Sequence, residues 1–363
     1  MNETDPPGEP QPPADDAEDL NGAPSPPLPR GGLDDRPRLP RDLDELIGKL
    51  ERARPGPGLP DPFAPADPFS FVDAIWSFPH RPTRFGRFEV RGELGRGGAG
   101  IVLLAIDSTL GRRVALKLPR PEALVDPEAR TRFLFGAYAP AMLDHPNLIA
   151  VFEIGQVGPI PYIVFSYHPG LNLADWLVRR DTPVPVSLAV EVVADLASGV
   201  QHLHDKGFVH RDISPSNILL APGPGGAGFI PKLLDFDLVL LPGDDRETVP
   251  ASATYGTPPY LAPEQLRGRH DQIGPRADLY ALGAILYELL TGMKPFEGAF
   301  GVELERMILR DEPPPPELIR PGLPHGLASL CVQCLAKDPA GRPASARAIR
   351  ESLLEHRGPS AAL

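Results

Sequence analysis

Two carboxylates, an amide and an amine, set at fixed intervals, carry the chemistry open to this chain. His210-Arg211-Asp212 is followed five residues later by Asn217, in the run FVHRDISPSNILL. An aspartate there can accept the proton of a hydroxyl, and an asparagine at that offset can hold a magnesium ion. Lys232-Leu233-Leu234-Asp235-Phe236-Asp237 sets a second carboxylate, Asp235, at the end of an apolar strand, where it can ligate Mg2+. Val114-Ala115-Leu116-Lys117 places an ammonium among apolar residues, a costly position unless the charge meets an anion. A base, metal ligands and a phosphate-facing amine together describe phosphoryl transfer to a hydroxyl.

These groups need elements to hold them. Gly95-Arg96-Gly97-Gly98-Ala99-Gly100-Ile101-Val102 is G-x-G-x-x-G-x-V. Such a run is weak alone, because dinucleotide-binding folds use it too. There the glycines open a helix, whereas IVLLAID after this loop reads as a strand. The loop is expected to join two strands and to close its backbone N–H groups over phosphates. Strands are predicted over Phe88–Leu94, Ile101–Ile106 and Val114–Leu118. From about Leu173 the apolar period becomes helical, through LADWLVRR, SLAVEVVADLASGVQHLHDKG, ADLYALGAILYELLTG and HGLASLCVQCLA. A strand-rich front and a helix-rich back imply an α+β, bilobal fold with a cleft between unlike lobes.

The chain has 363 residues, a net charge of −12 and a pI near 5.3. That acidity argues against nucleic acid or an anionic membrane as the main partner. No apolar run is read as a membrane span, and the acidic, Pro-rich start is unlike a secretory signal. A cytoplasmic protein is expected. Cys331 and Cys334 form a CxxC with no second pair to complete a four-ligand site, and they read as packing residues of a helix.

Residues 1–68 are rich in Pro, Asp and Glu, and are expected to form a disordered arm. Its reading as a solvated spacer stands against partner docking through a Pro-rich motif. Within it, Arg41 to Arg54 has one apolar helical face, broken by Gly48. Residues 69–87 carry Phe69, Phe71, Trp76 and Phe78, too many aromatics for a tether, and are expected to pack on the domain at 88–356.

Downstream, Gly256-Thr257-Pro258-Pro259-Tyr260-Leu261-Ala262-Pro263-Glu264, the DLYALG run at Asp278 and Arg342 complete an ordered set. With it the chain resembles the eukaryotic-like (Hanks-type) serine/threonine protein kinases, bacterial type, from about Phe88 to Leu354. The resemblance implies a small β-rich lobe at 88–165 and a larger helical lobe at 169–356. It implies ATP and Mg2+ as reaction components and proteins as substrates. Leu94 to Val102 would cover ATP, with Val102, Ala115 and Leu219 around the adenine. Phe165 would be the gatekeeper, and Ser166-Tyr167-His168 the hinge. Lys117 would hold the phosphates, Asp212 would be the base, and Asn217 and Asp235 would bind Mg2+. Thr257 would help select Ser/Thr substrates, and Glu264 and Arg342 would form a structural ion pair. Arg211 implies regulation by phosphorylation at Thr248, Ser252 or Thr254.

Three positions depart from the family pattern. Gly136 stands where a helix glutamate would pair with the strand lysine, and Pro140 further weakens that helix. Ser214 stands for the lysine two residues after the base. Asp237 replaces the glycine of DFG. The Gly136 and Asp237 changes motivate the alternative of a pseudokinase, a nucleotide-binding or scaffolding module.

Overall fold

The computed structural model describes residues 84–98, 100–180, 182–226, 228–240, 256–268, 272–298 and 300–356. The Pro-rich arm with its segment at 41–54, the aromatic residues of 69–83, Ala99, and Thr248, Ser252 and Thr254 lie outside them.

The front of the chain folds into an antiparallel sheet of β1 (Arg84–Phe85), β2 (Phe88–Arg96), β3 (Gly100–Asp107) and β4 (Arg112–Pro119), then β5 (Val151–Val157) and β6 (Ile160–Ser166). The spatial order is β1-β2-β3-β4-β6-β5. Period-two alternation sorts β4: Val114, Leu116 and Leu118 enter a core with Phe88, Ile101 and Tyr162, while Ala115 and Lys117 face the other way. Phe85 joins that core, its ring 5.7 Å edge-on from Tyr162. The sheet therefore reaches into the segment read from sequence as a linker. Between β4 and β5 runs α1 (Pro127–Ala141), which sets Phe133, Leu134 and Ala137 against Ile163 of β6. Pro140 does not break α1, because it falls in the last turn, where its missing N–H would have bonded only the Gly136 carbonyl.

The second lobe begins with β7 (Leu171–Asn172) and α2 (Leu173–Val178), then α3 (Val186–Asp205). By length and composition α3 could cross a membrane, an exception to the expectation of no span. Its apolar residues Ala189, Val190, Val193, Ala197 and Val200 are instead buried in the lobe's core. Strands β8 (Ile218–Pro222) and β9 (Phe229–Leu233) pair with β7 in a small sheet of order β7-β8-β9. After α4 (Pro263–Leu266) comes α5 (Pro275–Thr291). Helix α5 is mostly apolar and almost wholly buried, the mark of a central core helix. Helices α6 (Gly301–Arg310), α7 (Pro316–Ile319), α8 (His325–Cys334) and α9 (Ala346–Glu355) surround it.

Cys331 and Cys334 are fully buried on α8, and burial raises both thiols, Cys334 to about 12. Buried neutral thiols of this kind are inert packing groups. A Cβ at Gly283 of α5 would collide with the Cys334 Cβ, so the glycine sets how closely α8 can approach. Glu264 and Arg342 form a buried two-pronged ion pair, at 2.7 and 2.8 Å. Arg342 spends further donors on the carbonyls of Ala336 and Arg276. Because this pair is desolvated, removing one partner strands a charge. Arg342→Met is expected to cost about 3–5 kcal/mol of unfolding free energy, read by denaturant titration of the purified chain.

Candidate active site

The catalytic segment is shaped from beneath by one buried carboxylate. Asp278, in the first turn of α5, accepts the backbone N–H groups of His210 at 2.9 Å and Arg211 at 2.8 Å. His204 Nε2 of α3 lies 2.7 Å from the same side chain. Burial alone would push the Asp278 carboxyl up, but His204 and the surrounding donors bring it below its usual range. Arg211 has a φ of 72°, a left-handed conformation that non-glycine residues rarely hold without support. Gln265 Nε2 adds a bond to the Arg211 carbonyl at 2.8 Å. The sequence reading assigned Asp278 no such role; its signal was an acidic residue in the first turn of a mainly apolar helix.

Asp212 follows directly, and each carboxylate oxygen has a partner. Asn217 Nδ2 donates to Oδ2 and to the Asp212 carbonyl, both at 2.9 Å. Thr257 donates to Oδ1 through its N–H at 3.0 Å and its hydroxyl at 3.1 Å. The Thr257 hydroxyl also lies 3.2 Å from Ser214 Oγ, and Ser214 is 2.9 Å from Ser216 Oγ. Ser214 is fully buried in this chain of hydroxyls. Gly256, at φ 115°, approaches so closely that a Cβ there would lie 3.2 Å from Asp212 Oδ1. Burial raises the Asp212 carboxyl, partly offset by His210 and by the Thr257 bonds. A raised carboxyl is a stronger base.

Asn217 is bound on the far side too, its carbonyl accepting the Leu234 N–H at 2.8 Å. That bond sets β9's end beside the catalytic segment. Asp235 comes next, at φ 56°, its side chain 43 % exposed toward the cleft. Phe236 turns inward, its ring 5.0 Å from that of His210. Burial would raise the Asp235 carboxyl, but Lys117, a hydrogen bond with Asp237 and the nearby His210 together hold it below the usual range. With both Nδ2 contacts made to Asp212, the Asn217 amide offers its Oδ1 as a remaining ligand atom. An ionised carboxylate and an amide oxygen are the hard oxygen donors that suit magnesium.

Lys117 lies on the cleft face of β4, in register with Val102 of β3 and Ile163 of β6. Ala115, on the same face, is in register with Leu104 and Phe165. Val102, Ala115, Lys117 and Phe165 thus line one side of the sheet. Ile101 points the other way, into the core, so it can offer a nucleotide only backbone. Leu94 is exposed on β2, and Leu219 is half-buried on β8 between the core residues Ile218 and Leu220. Tyr167 lies under the Arg113 guanidinium, 5.4 Å from its ring centre, and Ser166 is tied to Ala150 by its N–H at 2.9 Å.

With glycine at 136 in place of the helix glutamate, Lys117 takes its carboxylate partners from the segment after β9. Its Nζ lies 2.6 Å from both oxygens of Asp237 and 3.5 Å from Asp235 Oδ1. Burial opposes the ammonium, yet these carboxylates raise it above its ordinary value. Burial pushes the Asp237 carboxyl up to about 7, with Lys117 pulling it down and Asp235 adding to the rise.

The glycines of the loop divide into two kinds. A Cβ at Gly100 would strike the Leu118 carbonyl, so the sheet itself requires that glycine. At Gly95, Gly97 and Gly98 a Cβ would meet no protein atom. Arg120 holds the Gly97 carbonyl at 2.9 and 3.1 Å, and Gly97 N–H bonds the Gly100 carbonyl at 2.9 Å. A shaped loop in which Gly95, Gly97 and Gly98 answer to no packing demand suits close approach by a group from outside, as a polyphosphate would make.

Comparison with known proteins agrees with this geometry. The protein kinase domain family matches residues 88–354. The serine/threonine-protein kinase PknB of Mycobacterium leprae is 37 % identical over 272 residues, 74 % of this chain and 42 % of that protein. Serine/threonine-protein kinase Pkn1 of Myxococcus xanthus is 37 % identical over 271 residues, 74 % of this chain and 38 % of its own length. The chain therefore spans less than half the length of these relatives. The crystal structure of the Mycobacterium tuberculosis PknI kinase domain superposes with a TM-score of 0.58 at 25 % identity, covering 76 % of this chain and 98 % of that one. With its two-lobed frame matched over residues 88–354, this chain belongs to the protein kinase family, in its bacterial Hanks-type serine/threonine branch.

Proposed function

We propose that this chain transfers the γ-phosphate of Mg-ATP to serine and threonine hydroxyls of proteins. The observation that carries this reading is the Asp212 carboxylate. Three donated hydrogen bonds fix its rotamer, burial raises its basicity, and it sits beside the Asn217–Asp235 pair. Each carboxylate oxygen has more than one acceptor position, so Oδ2, with a single donor from Asn217, can still take a substrate proton. Asn217 and Asp235 would hold the magnesium, whose charge offsets that of the phosphates. Lys117 presents its ammonium to the same space, and the Gly95–Gly98 backbone would close over the phosphates. Thr257 shares its hydroxyl with Asp212, which suits selection of an aliphatic alcohol as acceptor.

Control by phosphorylation at Thr248, Ser252 or Thr254 is part of the proposal, with Arg211 next to the base as the pairing cation. A kinase fed by ATP works on the cytoplasmic side of any membrane, and the Pro-rich arm remains a candidate for partner docking. The competing reading is nucleotide binding without transfer, motivated by Gly136 and Asp237.

Phosphotransfer from labelled Mg-ATP to a generic basic protein separates the two. Incorporation on Ser/Thr that disappears with Asp212→Asn is expected; nucleotide binding with no transfer by the native chain would establish the pseudokinase. Thr257→Ala removes one bond to the charged base and is expected to lower kcat roughly tenfold or more, with KM for ATP little changed.

A further inference from the structure

Two of the three departures from the family pattern meet in space. Gly136 on α1 faces Asp237: a Cβ built at 136 would fall inside contact distance of Asp237 Oδ1 and lie 3.4 Å from its Cα and Cγ. The Asp237 carboxylate thus fills the space that any side chain at 136 would need to enter. From there both its oxygens reach Lys117 Nζ at 2.6 Å. We propose that Gly136 and Asp237 are one coupled exchange, in which the carboxylate that positions Lys117 has moved from α1 to the segment carrying Asp235.

Geometry and charge both favour this. Lys117 is 7 % exposed, so its ammonium needs an anion close by. An ammonium has three donors. Two are directed to Asp237, and the third remains for a phosphate on the Asp235 side, where the nearest oxygen is 3.5 Å away. A glutamate at 136 beside Asp237 would set a third carboxylate around one lysine, in space already filled. A glycine at both positions would leave the lysine only the longer contact to Asp235. Each departure alone is damaging, and together they restore one anchor. Asp237 is a positioning residue: it acts on the nucleotide through Lys117. The inference rests on the kinase reading for its catalytic consequence, but not for its structural one.

The test is a double-mutant cycle on the full chain, with Asp237→Gly, Gly136→Glu and the pair together, and Asp237→Asn as an isosteric control. Steady-state transfer, affinity for Mg-ATP and thermal midpoint are measured for each. Asp237→Asn is expected to lower kcat/KM for ATP about tenfold to a hundredfold, with the thermal midpoint nearly kept. Gly136→Glu alone is expected to destabilise the fold. Joined to Asp237→Gly it is expected to recover both the midpoint and most of the nucleotide affinity that Asp237→Gly loses. Full affinity and turnover in Asp237→Gly would overturn the proposal, as would a double variant no better than Gly136→Glu. If the native chain transfers no phosphate, the kinase reading fails separately, and the midpoints and affinities of the same four variants still decide the exchange.

Discussion

Asp278 is the contact on which the catalytic geometry rests. One carboxylate, buried at the start of α5, takes two backbone N–H groups and a histidine. A left-handed residue such as Arg211 costs on the order of 1–3 kcal/mol, which persists only where neighbours over-determine it. Charge-assisted bonds from a helix N-terminal aspartate supply that determination. Asp212 is thereby directed by the packing of the lobe's central helix. Asp212, the proposed base, is thus held through the lobe's core.

The upper half of the site follows from a different rule. A sheet alternates its faces, so a core on one side of β4 leaves Ala115 and Lys117 on the other. Register then brings Val102 and Phe165 to the same face without any further device. The lobes are joined at the site by an ion pair between Lys117 and residues 118 and 120 positions away, Asp235 and Asp237. One half of the cleft is thus set by side-chain alternation and the other by a buried anion. The chemistry requires both to meet.

Much of this was legible in the residues. The strands Phe88–Arg96, Gly100–Asp107 and Arg112–Pro119 extend the runs read from alternation, and the long helices fall where the period changes. Glu264 and Arg342 meet as the motif order implied. What escaped was three-dimensional. The role of Asp278 depends on two helices crossing beneath the catalytic segment, and nothing local to ADLYALG reveals that. Helix α1 was judged weak from Gly136 and Pro140, yet the sheet pins it through Phe133, Leu134 and Ala137, because tertiary packing outweighs propensity. Asp237 read only as a departure from the glycine of DFG. Its value appears only when Gly136, about a hundred residues earlier, is placed against it.

The steric exclusion between positions 136 and 237 also bears on the history of this chain. A lineage moving between a helix-borne and a segment-borne carboxylate must cross one of two intermediates. One crowds three acids around a single amine, and the other leaves that amine with only a distant partner. If the proposed exchange holds, either passage is disfavoured until the second change is made, and the two sites would be epistatic. On that reading, scoring each unusual residue by itself against a family pattern counts twice what is a single exchange.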